Sequence, residues 1–148
     1  MSWLSRNAPA FEAVAATVTA LVALAALVGV KIQLDEADRL QRLQSARDSY
    51  RAHLALAVEH PAFARPADAC TLTASDKGAA YAAFVDHLLY SAEQMLAASD
   101  GWEETFLDQL APHATYLCSA GGPVGETEET AEILTRFRDS ACVAVPDC

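Results

Sequence analysis

Hydrophobic and polar positions divide this chain into two unlike parts. After Glu12 come residues 13–30, AVAATVTALVALAALVGV, without a single charge. Lys31 interrupts, and Ile32 and Leu34 carry the apolar character about one turn further. A helix of about 20 such residues, rising roughly 1.5 Å per residue, matches the roughly 30 Å hydrocarbon core of a bilayer. A cleavable signal has an apolar region of only about 7–15 residues and a small-x-small cleavage site. The stretch GVKIQL offers no such site, and Arg6 is the only basic side chain ahead of the run. A buried helix of a soluble protein is the other alternative. The expectation is a retained single transmembrane helix, with residues 1–34 forming an N-terminal tail and anchor.

The anchor is rich in alanine, so its drive to insert is modest. Ala16, Thr19, Ala20 and Ala23 place small residues at helical spacing, as do Ala25 and Gly29. Such faces let helix backbones approach closely in lipid, which makes these the candidate residues for packing against another membrane helix.

Beyond Lys31 the pattern becomes amphipathic. Leu40, Leu43, Tyr50, Leu54 and Ala57 recur at spacings near three and four, with Ala46 filling in, and charged residues occupy the other faces. Leu40, Leu43, Tyr50 and Leu54 define a predicted stalk seam. Pro61 should end the helix. A helix running from about residue 10 to 60 would be roughly 75 Å long, and its apolar stripe needs a cover.

The remainder, residues 35–148, reads as stalk plus extramembrane helical domain. PAFARPADACTLTAS, with Pro61 and Pro66, reads as a loop. Tyr81, Phe84, Val85, Leu88, Ala92, Met95 and Leu96 form a broad helical face. Asp100 is the expected N-cap of a following helix through Trp102, Phe106, Leu110 and Leu117, with a break at Pro112. Thr127 is the expected cap of a last helix bearing Ile133, Leu134 and Phe137. No stretch alternates as a strand would. The predicted fold is all-α: a transmembrane helix continuing into a stalk and packed with about three further helices in a small bundle.

Charge narrows the partners. From residue 52 onward, four basic residues face fifteen acidic ones, a net of minus eleven. Nucleic acid is excluded as a partner, because binding it requires Lys and Arg to neutralise phosphates. Lys31, Arg39, Arg42, Arg47 and Arg51 concentrate basic charge just after the anchor. By the positive-inside rule this argues for a cytoplasmic body. The cysteines argue the opposite. Cys70, Cys118, Cys142 and Cys148 are even in number and all follow the anchor, as in a two-disulfide domain of an oxidising compartment. Of the three pairings, Cys70–Cys118 with Cys142–Cys148 is the least demanding. Four buried thiols are the alternative. The expectation is a periplasmic or extracellular body.

Candidate chemistry is sparse. His53, His60, His87 and His113 lie far apart, with no H-x-x-x-H, C-x-x-C or H-E-x-x-H spacing for a metal. Asp86 and His87 are adjacent, so on a helix they point about 100° apart, away from acid–base geometry. The acidic stretches EE at 103–104 and EETAE at 128–132 suit helix first turns. AGGPVG lacks the Lys and Ser/Thr of a phosphate-binding loop. Trp102 and Phe106, four apart, read as core. No catalytic residue, metal or cofactor is expected.

The segments LAALVGVKIQLDEADRLQRLQSARDSYRAHLALAVEHPAFARP, YAAFVDHLLYSAEQML and HATYLCS resemble those of small uncharacterised proteobacterial single-pass membrane proteins with a C-terminal helical domain. The resemblance is one of pattern and implies a bacterial inner-membrane protein. Together with the small-residue anchor, the expected role is a non-catalytic accessory subunit whose partners are the lipid bilayer and the subunits of a larger membrane complex. The alternative is a self-associating sensor or adaptor, homodimeric through its stalk. A membrane-tethered enzyme is the third reading.

Overall fold

A computed structural model describes residues 2–123, 125 and 127–145, with side chains from residue 12 on, that of residue 144 excepted. The described residues form helices and connecting turns with no strand. The first helix, α1, spans Ser2–Glu59. The chain divides into two compact units, Met1–Gln41 and Arg42–Cys148, where the apolarity pattern had suggested a division after residue 34.

In the first unit, α1 is uncovered. From Glu12 to Gln41 every side chain is exposed and only Gly29 is half-buried. The helix is long and apolar enough to cross a membrane, with a mean hydropathy of 2.4 over its most apolar stretch. Its polar atoms are handled internally. Thr17 and Thr19 donate their hydroxyls to the carbonyls of Ala13 and Ala15, at 2.8 and 2.9 Å. That removes the cost of a bare hydroxyl in an apolar medium. Past the apolar run, Lys31 pairs with Asp35 at 2.9 Å and Arg39 with Glu36 at 2.8 Å. These pairs are solvent-exposed, where screening leaves an ion pair little net stabilisation.

The second unit is a helical bundle to which α1 contributes its last turns. Pro61 stops α1 and opens a four-residue helix, α2 (Pro61–Ala64), where its missing N–H costs nothing. α3 (Ala69–Thr73) follows, started by Asp68, whose carboxylate accepts from the backbone N–H groups of Cys70 and Thr71 at 2.9 and 3.3 Å. Residues 61–75, expected to be a loop, therefore hold two short helices, because a proline at the first helical position and an aspartate cap supply local start signals.

The bundle is built around α4 (Gly78–Ala98), which buries Tyr81, Phe84, Val85, Leu88, Leu89, Ser91, Ala92 and Met95. Burial on such a wide arc marks a central helix, and each fully buried large side chain contributes roughly 1.5–3 kcal/mol. α5 (Glu103–Leu110) adds Phe106 and Leu110, and Trp102 at its cap is half-buried. Asp100 does not cap it. Gly101 takes a φ of 84° and turns the chain after Asp100, leaving Trp102 in the cap position without a side-chain hydrogen bond. The break at Pro112 is a 3₁₀ turn, Ala111–His113, leading into α6 (Ala114–Cys118). α7 (Glu128–Ala141) begins with Thr127, whose Oγ1 accepts from the Thr130 N–H while the Thr130 Oγ1 accepts from the Thr127 N–H. Ile133, Leu134 and Phe137 are buried.

Covalent and polar ties close the C-terminal part. Cys118, at the end of α6, is bonded to Cys142, just past α7, with Cα atoms 5.5 Å apart. This corrects the expected pairing of Cys118 with Cys70 and Cys142 with Cys148. Packing sets the ends of α6 and α7 side by side, and separation along the chain does not determine which cysteines meet. Cys70 is disulfide-bonded as well, and Cys148 lies outside the described residues. Beside the 118–142 bridge, Arg138 donates to the carbonyls of Leu117, at 3.0 Å, and Pro123. Arg136 pairs with Glu103.

Candidate functional site

The stalk residues are placed as follows. Leu40 is 45% exposed and Leu54 is 42% exposed, whereas Leu43 and Tyr50 are half-buried. Tyr50 packs edge-on against Trp102 and Phe106, with centroids 5.4 and 5.5 Å away, and its hydroxyl accepts a hydrogen bond from Gln109. The most deeply buried positions of α1 are Ala46 and His53. Ser49, between them, lies with its Oγ 3.2 Å from that of buried Ser91 on α4. The covered face thus runs through positions 46, 49, 50 and 53, about one residue out of phase with Leu54. Of the anchor residues, Ala16, Thr19, Ala20, Ala23 and Ala25 are exposed, and Gly29 has open space around it.

The same face delivers a polar cluster. His53 from α1, His87 from α4 and His113 from the 3₁₀ turn are separated by 34 and 26 positions, yet they meet: the His53 and His113 rings both approach Phe84, and His87 stacks on His53. The His53 and His87 rings stack with centroids 5.7 Å apart and planes 19° from parallel. His53 lies 4.9 Å from the Phe84 ring, and His113 lies 6.1 Å from it. His113 Nδ1 is 2.8 Å from the hydroxyl of Tyr81, and both groups are buried. The remaining histidine, His60, stacks on Phe63.

Burial sets the charge state of these groups. Loss of water, reinforced by the neighbouring His87, pushes His53 down to about 4. Loss of water, reinforced by His53, does the same to His113. Burial raises the Tyr81 phenol above its usual range, and the neighbouring Tyr116 adds to this. Both buried imidazoles are neutral near pH 7, each with one donor and one acceptor nitrogen. His53 Nδ1 is buried and makes no hydrogen bond.

A cavity of about 310 Å³ opens beside the cluster. Its apolar wall includes Leu54, Phe84, Leu88 and Pro112, and its polar lining is His53, His113, Arg65, Asp108 and Gln109. Among the described residues no group of three or more His, Cys, Asp or Glu is arranged to hold a metal ion. The histidine cluster was not legible as a motif, because its members come from three distant segments. The nearest signal was the phase of His53, in step with Ala46 and Tyr50 at helical spacing.

Fold and site together define an all-helical, disulfide-bonded body whose first helix is long and apolar enough to cross a membrane. No family model matches the chain, and neither a curated protein nor a solved structure matches it.

Proposed function

We propose that this chain is a single-pass protein of the bacterial inner membrane that serves as a non-catalytic accessory subunit of a larger membrane complex, its body on the periplasmic side. The observation that carries this reading is the uncovered apolar length of α1. Val14, Val18, Leu21, Leu24, Leu27 and Val28 are each more than half exposed, so their cover must come from lipid or from another subunit. The disulfide between Cys118 and Cys142 supports an oxidising compartment, since such bonds are reduced in a typical cytosol. The Lys and Arg residues near positions 31–51 favour the opposite side by the positive-inside rule, and the disulfide is given the greater weight. A homodimeric stalk is less well supported, because Ala46 and His53, on the face a coiled coil would use, are already buried against the chain's own body.

Two experiments test the reading. Purification in mild detergent should recover a fixed partner at constant ratio, and a monodisperse species of this chain alone would overturn it. Symmetric crosslinks from Leu40→Cys and Leu43→Cys would select the homodimer instead. Impermeant maleimide on intact cells should label the chain only after a reductant is added, whereas labelling that needs lysis would place the body in the cytoplasm.

A further inference from the structure

The cavity beside His53 is chemically asymmetric in a way that specifies a ligand. Its volume of about 310 Å³ is at the small end for ligand pockets. That is the space of about ten waters at roughly 30 Å³ each. Arg65 and Asp108 both line it, one guanidinium and one carboxylate. Neither side chain takes part in a hydrogen bond or ion pair among the described residues, and the two are too far apart to pair with each other. Much of the remaining lining is apolar: Leu54, Ala57, Ala64, Phe84, Leu88 and Pro112.

We propose that this cavity binds a small zwitterion with an apolar side group, of the size of an amino acid. Arg65 receives the carboxylate in its two-pronged fork, and Asp108 receives the ammonium. The side group lies against Leu54, Phe84, Leu88 and Pro112. A simple anion would meet Asp108 and the net charge of minus eleven that the body carries from residue 52 onward. A simple cation would meet Arg65. A neutral zwitterion satisfies both charges at once.

Titration calorimetry on the full chain in detergent micelles, with L-leucine and L-phenylalanine as probes, tests this. Saturable binding is expected, weakened about tenfold or more for N-acetyl-leucine, which lacks the ammonium, and for leucinamide, which lacks the carboxylate. Arg65→Gln and Asp108→Asn alter exposed residues, so their folding is not at issue. Arg65→Gln should remove the preference for leucine over leucinamide, and Asp108→Asn the preference over N-acetyl-leucine. Absence of saturable binding of either amino acid up to about 10 mM overturns the proposal. So does equal binding of leucine and its two singly charged derivatives, or affinity that neither substitution changes.

Discussion

The hydroxyl of Tyr81 and Nδ1 of His113 lie 2.8 Å apart in the interior of the bundle, joining the central helix to the turn that follows α5. Both groups are out of water, so each depends on the other for its hydrogen bond. Tyr81→Phe keeps the ring packing but strands the imidazole nitrogen. The expected cost is about 1–3 kcal/mol, read as a lower urea midpoint at unchanged slope. An unchanged midpoint would show that the pair contributes nothing.

The buried histidines make stability depend on pH. His53 and His113 have folded values near 4, below the roughly 6.5 of the unfolded chain. Between those values the unfolded state binds more protons, so stability rises with pH. The contribution is fully present above about pH 6.5 and is lost as pH falls toward 4, at most about 3 kcal/mol per histidine. Melting temperature measured from pH 7.5 to 4.5 should fall steadily. A flat profile across that window would falsify the buried, neutral assignment.

The Cys118–Cys142 bridge closes a segment of 24 positions. Chain-entropy arguments give such a loop about 3 kcal/mol of stabilisation. The double substitution Cys118→Ala and Cys142→Ala should lower the unfolding free energy by roughly that amount. Denaturation of the variant in urea checks this, and a change well under about 1 kcal/mol would mean that packing of α6 on α7 suffices alone.

Two glycines with nearly the same φ should respond differently. Gly101 and Gly125 have φ of 84° and 83°. A Cβ at Gly101 meets nothing within 4 Å, whereas at Gly125 it would lie 2.8 Å from the backbone nitrogen of Ala131. Gly101→Ala should cost only the left-handed strain, about 1 kcal/mol. Gly125→Ala should cost more, since the backbone of α7 must also give way. Equal losses in a pair of thermal melts would contradict this.

The Ala-rich apolar run has little insertion drive to spare. Leu21→Arg places a charge near its middle, at a cost of about 2.5–3.5 kcal/mol on insertion scales. The variant is expected to be extracted from membranes by alkaline carbonate, while the unaltered chain stays in the pellet. Retention of both would separate membrane association from this helix.

Much of the helical layout was legible without coordinates. The charge-free run after Glu12, the stop at Pro61, the broad face from Tyr81 to Leu96, the break at Pro112 and the cap at Thr127 all depend on local chemistry. Local chemistry repeats with the helix period and leaves a trace in the order of residues. The cap at Asp100 was misread because a neighbouring glycine could take a positive φ and redirect the chain.

Other features required the packed molecule. Composition announced that cysteines would pair, but which cysteine Cys118 meets depends on how α6 and α7 settle against α4. Periodicity announced an apolar stripe on α1, but a shift of one residue, about 100° around the helix, is what buries His53 and leaves Leu54 at the surface. The meeting of His53, His87 and His113 has the same origin. Residues on one helix are related by a fixed rotation, so their order reveals their face. Residues on different helices are related only by packing, and the meeting of His53 with His87 and of His53 and His113 with Phe84 exists only once the core has formed.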